Sequence, residues 1–119
     1  MKRNIDLIRK MMLEIESTDD TFGLSNPRIK GYSPDEIVYC CKLLKDSGFV
    51  DGFKVSYADN QIHSYSVGQL TWKGHEYLEL IRNPDIWNSI KSFVESGVPF
   101  TEENVKRIVS CFCNNSEYD

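Results

Sequence analysis

Apolar side chains return along this sequence with two different periods. Between Asn4 and about Glu16, Ile5, Ile8, Met11, Met12 and Ile15 recur every three to four positions, the spacing of one buried helical face. Lys2, Arg3, Arg9 and Lys10 fall off that face. The stretch from Ser17 to Tyr32 loses the period and holds Gly23, Pro27, Gly31 and a polar Ser-Thr-Asp-Asp run, which is loop chemistry; Arg28 to Tyr32 is expected as a short edge strand. A second helix then opens on the strongest start signal in the chain. Ser33 is placed to cap it, Pro34 takes the first helical position and Glu36 the third, a capping box. Ile37, Cys40, Cys41, Leu43 and Leu44 point inward, and Gly48 is expected to end the helix as its C′ residue.

The period then drops to two. Asp51, Phe53, Val55 and Tyr57 share one parity within Phe49 to Tyr57, and Ile62 to Leu70 returns with serines between Tyr65 and Val67. Asp59-Asn60 supplies the turn of a hairpin with one wet face. The helical period resumes with Thr71 as cap and Tyr77, Leu78, Leu80 and Ile81 inward, to about Arg82. Asn83 and Pro84 restart the chain as N-cap and first residue of a fourth helix, to about Ser96, with the stripe Ile86, Trp87, Ile90, Phe93 and Val94. Gly97-Val98-Pro99 breaks it. Thr101 caps a last helix with the stripe Val105, Ile108, Val109 and Phe112, and fraying is expected from Asn114 to Asp119.

A helix ending in glycine and feeding a two-stranded hairpin is the helix–wing half of a winged-helix domain. The expected fold is therefore a single α+β domain over 1–119. Residues 1–82 form a winged-helix-like core, helices plus a hairpin wing, and residues 83–119 a C-terminal helical extension. The segments "MKRNIDLIRKMMLEIE", "GYSPDEIVYCCKLLKDSGFV" and "VGQLTWKGHEYLELIRNPDIW" resemble a domain-of-unknown-function family of short bacterial and prophage proteins, itself similar to winged-helix proteins. The resemblance covers about residues 1–95. It implies a fold more than an activity. It also implies a DNA-binding regulator or accessory factor of a prophage or mobile element as one expectation. A full helix-turn-helix places a short helix before the recognition helix, and Ser17 to Tyr32 does not carry the pattern of one.

Composition narrows the field. With 119 residues, 40% hydrophobic and 27% charged, the chain matches an ordinary folded domain. No apolar run approaches the ~18 residues of a membrane span, and the N-terminus lacks a secretion signal, so a cytoplasmic protein is expected. The net charge is −4, with −1 over the first sixty residues and −3 over the rest. DNA binders usually carry a basic excess, because phosphate contacts supply most non-specific affinity. Neither the adjacent Cys40 and Cys41 nor Cys111 and Cys113 present two thiolates to one metal from a helix. Cys40 and Cys41 read as small core residues, and no metal or other cofactor is expected.

On a recognition-helix reading, Tyr39, Lys42 and Lys45 would face the DNA groove and Lys54 in the wing would touch phosphate. Asp35, Asp46, Asp51 and Asp59 lie nearby and would repel it, and the helix lacks the Arg, Asn or Gln suited to bidentate base reading. The alternative is an ordinary solvated face. His75 has Glu79 one turn on, but neither it nor His63 is tied to a nucleophile, and phosphate-loop patterns are absent, so a noncatalytic protein is expected. Gly74 falls on the apolar side of its helix, where it would permit close packing. Trp72 and Trp87 read as core or interface anchors. Phe93, Phe100 and Phe112 on the last two helices are candidate interface residues, through which the extension would cover the core or pair across a two-fold axis as a homodimer. Two functions follow: a double-stranded-DNA-binding protein, or a protein–protein interaction module that has lost DNA binding.

Overall fold

The computed structural model describes residues 1–117, with side chains described through residue 112. It is α+β, with five helices and a three-stranded antiparallel sheet: α1 (Ile5–Ser17), β1 (Leu24–Ser25), α2 (Pro34–Asp46), β2 (Phe53–Ala58), β3 (Gln61–Val67), α3 (Trp72–Ile81), α4 (Pro84–Glu95) and α5 (Glu102–Glu117). The arrangement is compatible with a winged-helix-like domain. Two compact units divide the chain, Met1–His75 and Glu76–Asp119.

In the first unit, α1 starts at Asn4, whose side chain accepts from the Leu7 N–H, and buries Leu7, Ile8, Met11, Met12 and Ile15. The expected capping box on α2 is formed in both directions. The Ser33 hydroxyl accepts from Glu36 N–H at 3.2 Å and the Glu36 carboxylate from Ser33 N–H at 3.1 Å. Gly48, at φ +82°, follows the cap residue Ser47 and lets Phe49 N–H reach back to Leu44 O at 2.9 Å. Ile37, Val38, Cys40, Cys41 and Leu44 are buried, whereas Leu43 is only half-buried.

The hairpin closes through Asp59 and Asn60 at φ +54° and +63°, the left-handed pair of a two-residue turn whose twist matches the strands. The sheet order is β1-β3-β2. A register shift at Ser56/Tyr57 interrupts the β2–β3 ladder, and a bridge between Val50 and Leu70 carries the pairing past the strand ends.

The third strand is not at Arg28 to Tyr32, where the sequence suggested an edge strand, but at Leu24–Ser25, paired with Val67 and Ser66. The reason is local. Gly23 sits at φ +93° with its backbone directly against the Val67 carbonyl and Gly68, where no Cβ fits. Asn26, at φ +49°, extends the pairing with its side chain. Its N–H donates to Tyr65 O at 2.8 Å, and its Oδ1 accepts from Tyr65 N–H at 2.9 Å. Pro27 has no N–H to continue a ladder, and its carbonyl instead accepts the Tyr65 hydroxyl at 2.6 Å. Between Thr18 and Ser33 the described chain holds no helix, so the short helix that precedes a recognition helix is missing.

Gly74 lies against the backbone of Phe49, whose carbonyl oxygen also accepts the Thr71 N–H at 3.0 Å. The close approach expected of this glycine is therefore real and involves main chain on both sides.

In the second unit, Asn83 caps α4, accepting from both Asp85 and Ile86 N–H, and Thr101 caps α5 through Asn104 N–H at 3.1 Å. Phe100 is buried and meets Tyr77 and Trp87 edge-on, with ring centroids 6.4 and 6.1 Å away. The α5 backbone stays helical to Glu117, past the expected fraying point at Asn114; residues 118–119 lie outside the described residues.

Candidate functional site

Of the four residues suggested for DNA contact, Tyr39, Lys42 and Lys45 lie on α2 and Lys54 on β2. Lys45 sits in the last turn of α2 and donates to the Asp51 carbonyl at 3.3 Å. Lys73, from the start of α3, donates to Ser47 O at 3.2 Å, with its ammonium 5.5 Å from the centre of the Phe49 ring. Lys73 binds a carbonyl at the C-terminal end of α2, where the helix dipole favours positive charge, and Lys45 reaches the Asp51 carbonyl in the segment that follows. Lys45 thus has a local task in holding the passage from helix to wing.

Lys42 is exposed on a stripe that runs Asp35, Tyr39, Lys42, Asp46 at three-to-four spacing, so one lysine lies between two carboxylates. Tyr39 is half-buried and lines a cleft of about 460 Å³ with Lys2, Arg3, Ile5 and Glu36 at the start of α1 and α2.

Lys54 stands opposite Ser66 in the β2–β3 register, and Val55 opposite Tyr65. Successive side chains alternate between sheet faces. Tyr65 and Val67 are buried, and Tyr65 feels the Cys41 thiol of α2. The α2 helix therefore covers the Tyr65 face. Lys54 lies on the other face, in a shallow groove with Ser25, Ser56, Ser64 and Ser66. Tyr39 and Arg3 line the same cleft, Lys42 and Lys45 are neighbours one turn apart on α2, and Lys54 lies on the sheet face away from α2. The first unit carries ten basic and ten acidic residues, and the second four and eight.

Other candidates resolve more simply. Cys40 and Cys41 are buried, and burial pushes both thiols up to about 12. Among the described residues, no group of three or more His, Cys, Asp or Glu could hold a metal ion. His75 and His63 are exposed, and Glu79 pairs with Arg82 at 3.1 Å. Among the described residues, no helix is long and apolar enough to cross a membrane. Trp87 is buried as a core anchor, whereas Trp72 is 83% exposed.

The second unit holds an apolar cleft of about 420 Å³ between α4 and α5, walled chiefly by Phe93, Val98, Ile108, Cys111 and Phe112. Of the three phenylalanines proposed for an interface, Phe93 and Phe112 line this cleft and Phe100 does not: it is a core ring. Phe93 is 48% exposed on its ridge. The polar groups at the rim are already engaged. Asn104 donates to Pro99 O at 2.9 Å and Arg107 reaches Glu103 at 3.0 Å. Val98, Asn104, Arg107 and Cys111 were not foreseen. Asn104, Arg107 and Cys111 fall at three-to-four spacing with Ile108 along α5, a signal the apolar stripe alone did not carry, and Val98 lies in the segment before the helix.

Residues 2–99 match the model of a family described as "Hypothetical protein (DUF2513)". The chain belongs to the DUF2513 family. A Haemophilus influenzae protein described as "Uncharacterized protein" is 37% identical over 97 residues, covering 81% of this chain and 80% of that protein. No solved structure matches the chain. The DUF2513 match takes in Tyr39, Lys42, Lys45, Lys54 and Phe93, and ends before Phe100 and the α5 wall of the apolar cleft.

Proposed function

We propose that this member of the DUF2513 family is a noncatalytic protein-binding module on a winged-helix-like scaffold, without a working DNA surface. The observation that carries the reading is the apolar α4–α5 cleft with half-exposed Phe93 on its ridge. An apolar concavity edged by satisfied polar groups fits an apolar side chain better than a polar small molecule, which needs convergent free donors and acceptors to orient it. The placement of Lys54 on the sheet face away from α2, apart from Lys42 and Lys45, supports the same reading, since phosphate binding draws on a continuous basic surface.

Two measurements test it. Labelled random duplex DNA, followed by anisotropy at about 50 mM salt, is expected to show no binding; micromolar binding that weakens steeply with salt would count against the proposal. A photo-crosslinking side chain placed at Phe93 is expected to give protein adducts in cells, while the same group at Lys42 gives no nucleic-acid adduct. Nuclease-sensitive adducts at position 42 with none at 93 would overturn it.

A further inference from the structure

We infer that the outer edge of β2 receives an extended segment of a partner protein as an added strand, one with apolar residues at alternate positions and carboxylates between them. This surface belongs to the first unit and is distinct from the α4–α5 cleft.

β2 ends the sheet order β1-β3-β2, so one of its edges has no strand beside it. The hydrogen bonds of its neighbour show which groups face that way. Tyr65 gives both its N–H and its carbonyl to Asn26, on the β1 side of β3. Val55, directly opposite Tyr65, therefore exchanges no ladder bond with it, and its own N–H and carbonyl point outward. Phe53 is in the same state, because the 2.8 Å bond from Gly68 N–H to Gly52 O brackets the Phe53–Val67 pair as one without hydrogen bonds of its own. Tyr57 follows by alternation. Among the described residues no turn or loop supplies these three with a main-chain partner. Free donors and acceptors at every second residue are what an extended backbone satisfies.

The side chains define the rest of the occupant. Open edges are commonly blunted by proline, a bulge or a covering element. β2 has no proline, and the extra residue of the register shift, His63, lies on β3. The one such device on β2 is Lys54, exposed on the face away from α2 and without an ion-pair partner among the described residues. A cation at an edge turns away a basic or wholly apolar strand and admits one with a carboxylate at the adjacent position. On the other face Phe53 and Val55 are half-buried and Tyr57 is 62% exposed, which suits apolar side chains at the positions between.

The test uses the isotope-labelled full chain, followed by amide NMR, and capped heptapeptides of alternating valine and glutamate or valine and lysine. The glutamate peptide is expected to shift the Phe53, Val55 and Tyr57 amide signals saturably below about 1 mM. N-methylation of its valines removes the donors that meet Phe53 and Val55, keeps the side chains, and is expected to abolish the effect. Lys54→Glu is expected to reverse the preference in favour of the lysine peptide. Val55→Pro deletes an outward donor without touching the β3 ladder and is expected to weaken binding at least about tenfold. The β3 amide signals report whether its hairpin is intact, and Lys54→Glu carries the test if it is not. No saturable shift along β2 up to about 1 mM, or binding indifferent to N-methylation, overturns the inference. Shifts confined to α4 and α5 would overturn it too, while leaving the protein-binding reading of their cleft in place.

Discussion

Replacing Gly74 with alanine sets two effects of opposite sign against each other. In the interior of an isolated helix the change is worth up to about 1 kcal/mol in favour of alanine. Here the new methyl would fall closer than 3.0 Å to the Phe49 carbonyl oxygen, 3.0 Å from its carbonyl carbon and 3.3 Å from its Cα. The obstacle is backbone, so no side-chain rotation relieves it. Moving Phe49 aside would strain its hydrogen bond with Thr71 N–H, worth about 1 kcal/mol, and the adjacent Thr71 hydroxyl contact to Gly48 O. Forced overpacking of this kind costs typically about 1–3 kcal/mol. The clash and the strained bond together outweigh the propensity gain, leaving a net loss of roughly 1–3 kcal/mol. An unfolding entropy of about 2.1 cal/mol/K per residue over 119 residues converts this to a fall in melting temperature of roughly 4–12 °C. Thermal and urea unfolding followed at 222 nm would measure it, with His75→Ala at the exposed neighbouring position as the control, expected within about 0.5 kcal/mol of wild type. A Gly74→Ala protein that melts at or above the wild-type temperature would show that propensity dominates and that the two backbones do not meet as described.

Four further outcomes are expected. Tyr65→Phe removes the hydroxyl that satisfies the Pro27 carbonyl and should cost about 1–2 kcal/mol in urea unfolding, with a native circular dichroism spectrum. Ser33→Ala removes the hydroxyl that accepts from Glu36 N–H, leaves the backbone half of the capping box in place, and should cost about 1 kcal/mol in the same assay. The Cys40 and Cys41 thiols are raised from 9.0 to about 12 by burial, so the folded state holds protons that the unfolded state releases. Their contribution is complete below pH 9 and declines as the pH rises towards 12, at up to about 1.4 kcal/mol per pH unit for each thiol, and native protein should alkylate at Cys111 well before either buried thiol. Phe100→Ala opens the ring cluster with Tyr77 and Trp87 and should cost about 3–5 kcal/mol, whereas Phe93→Ala, at a half-exposed ring, should cost less.

Local chemistry made most of the fold legible in advance. Ser33, Pro34 and Glu36 can do little other than start a helix, Gly48 ends it, and Asp59-Asn60 suits the left-handed turn found there. The third strand was misplaced because its signal is not a strand pattern at all. Two residues, a glycine and an asparagine acquire their meaning only when Val67 and Tyr65 arrive from far along the chain. The candidate site suffered from the same limitation. Spacing identified Lys42, Lys45 and Lys54 as surface lysines, but the parity of β2 relative to the face covered by α2 is set by pairing. The period of two separates Lys54 from Phe53 and Val55, and the pairing with Tyr65 and Ser66 shows which of the two faces α2 covers. Phe93, Phe100 and Phe112 share one apolar character, and only packing separates the buried ring from the two at the cleft.

The stitch made by Asn26 also bears on the order of folding. It joins residues 39 positions apart, and the loop so closed contains α2 and the whole hairpin turn. Each enclosed element can form from nearby contacts, while closing the loop loses chain entropy and returns only a short run of pairing. The stitch therefore belongs on the native side of the folding barrier. Weakening it at Asn26 should leave the refolding rate nearly untouched and hasten unfolding, so this small side chain governs how long the first unit stays closed rather than how fast it is made.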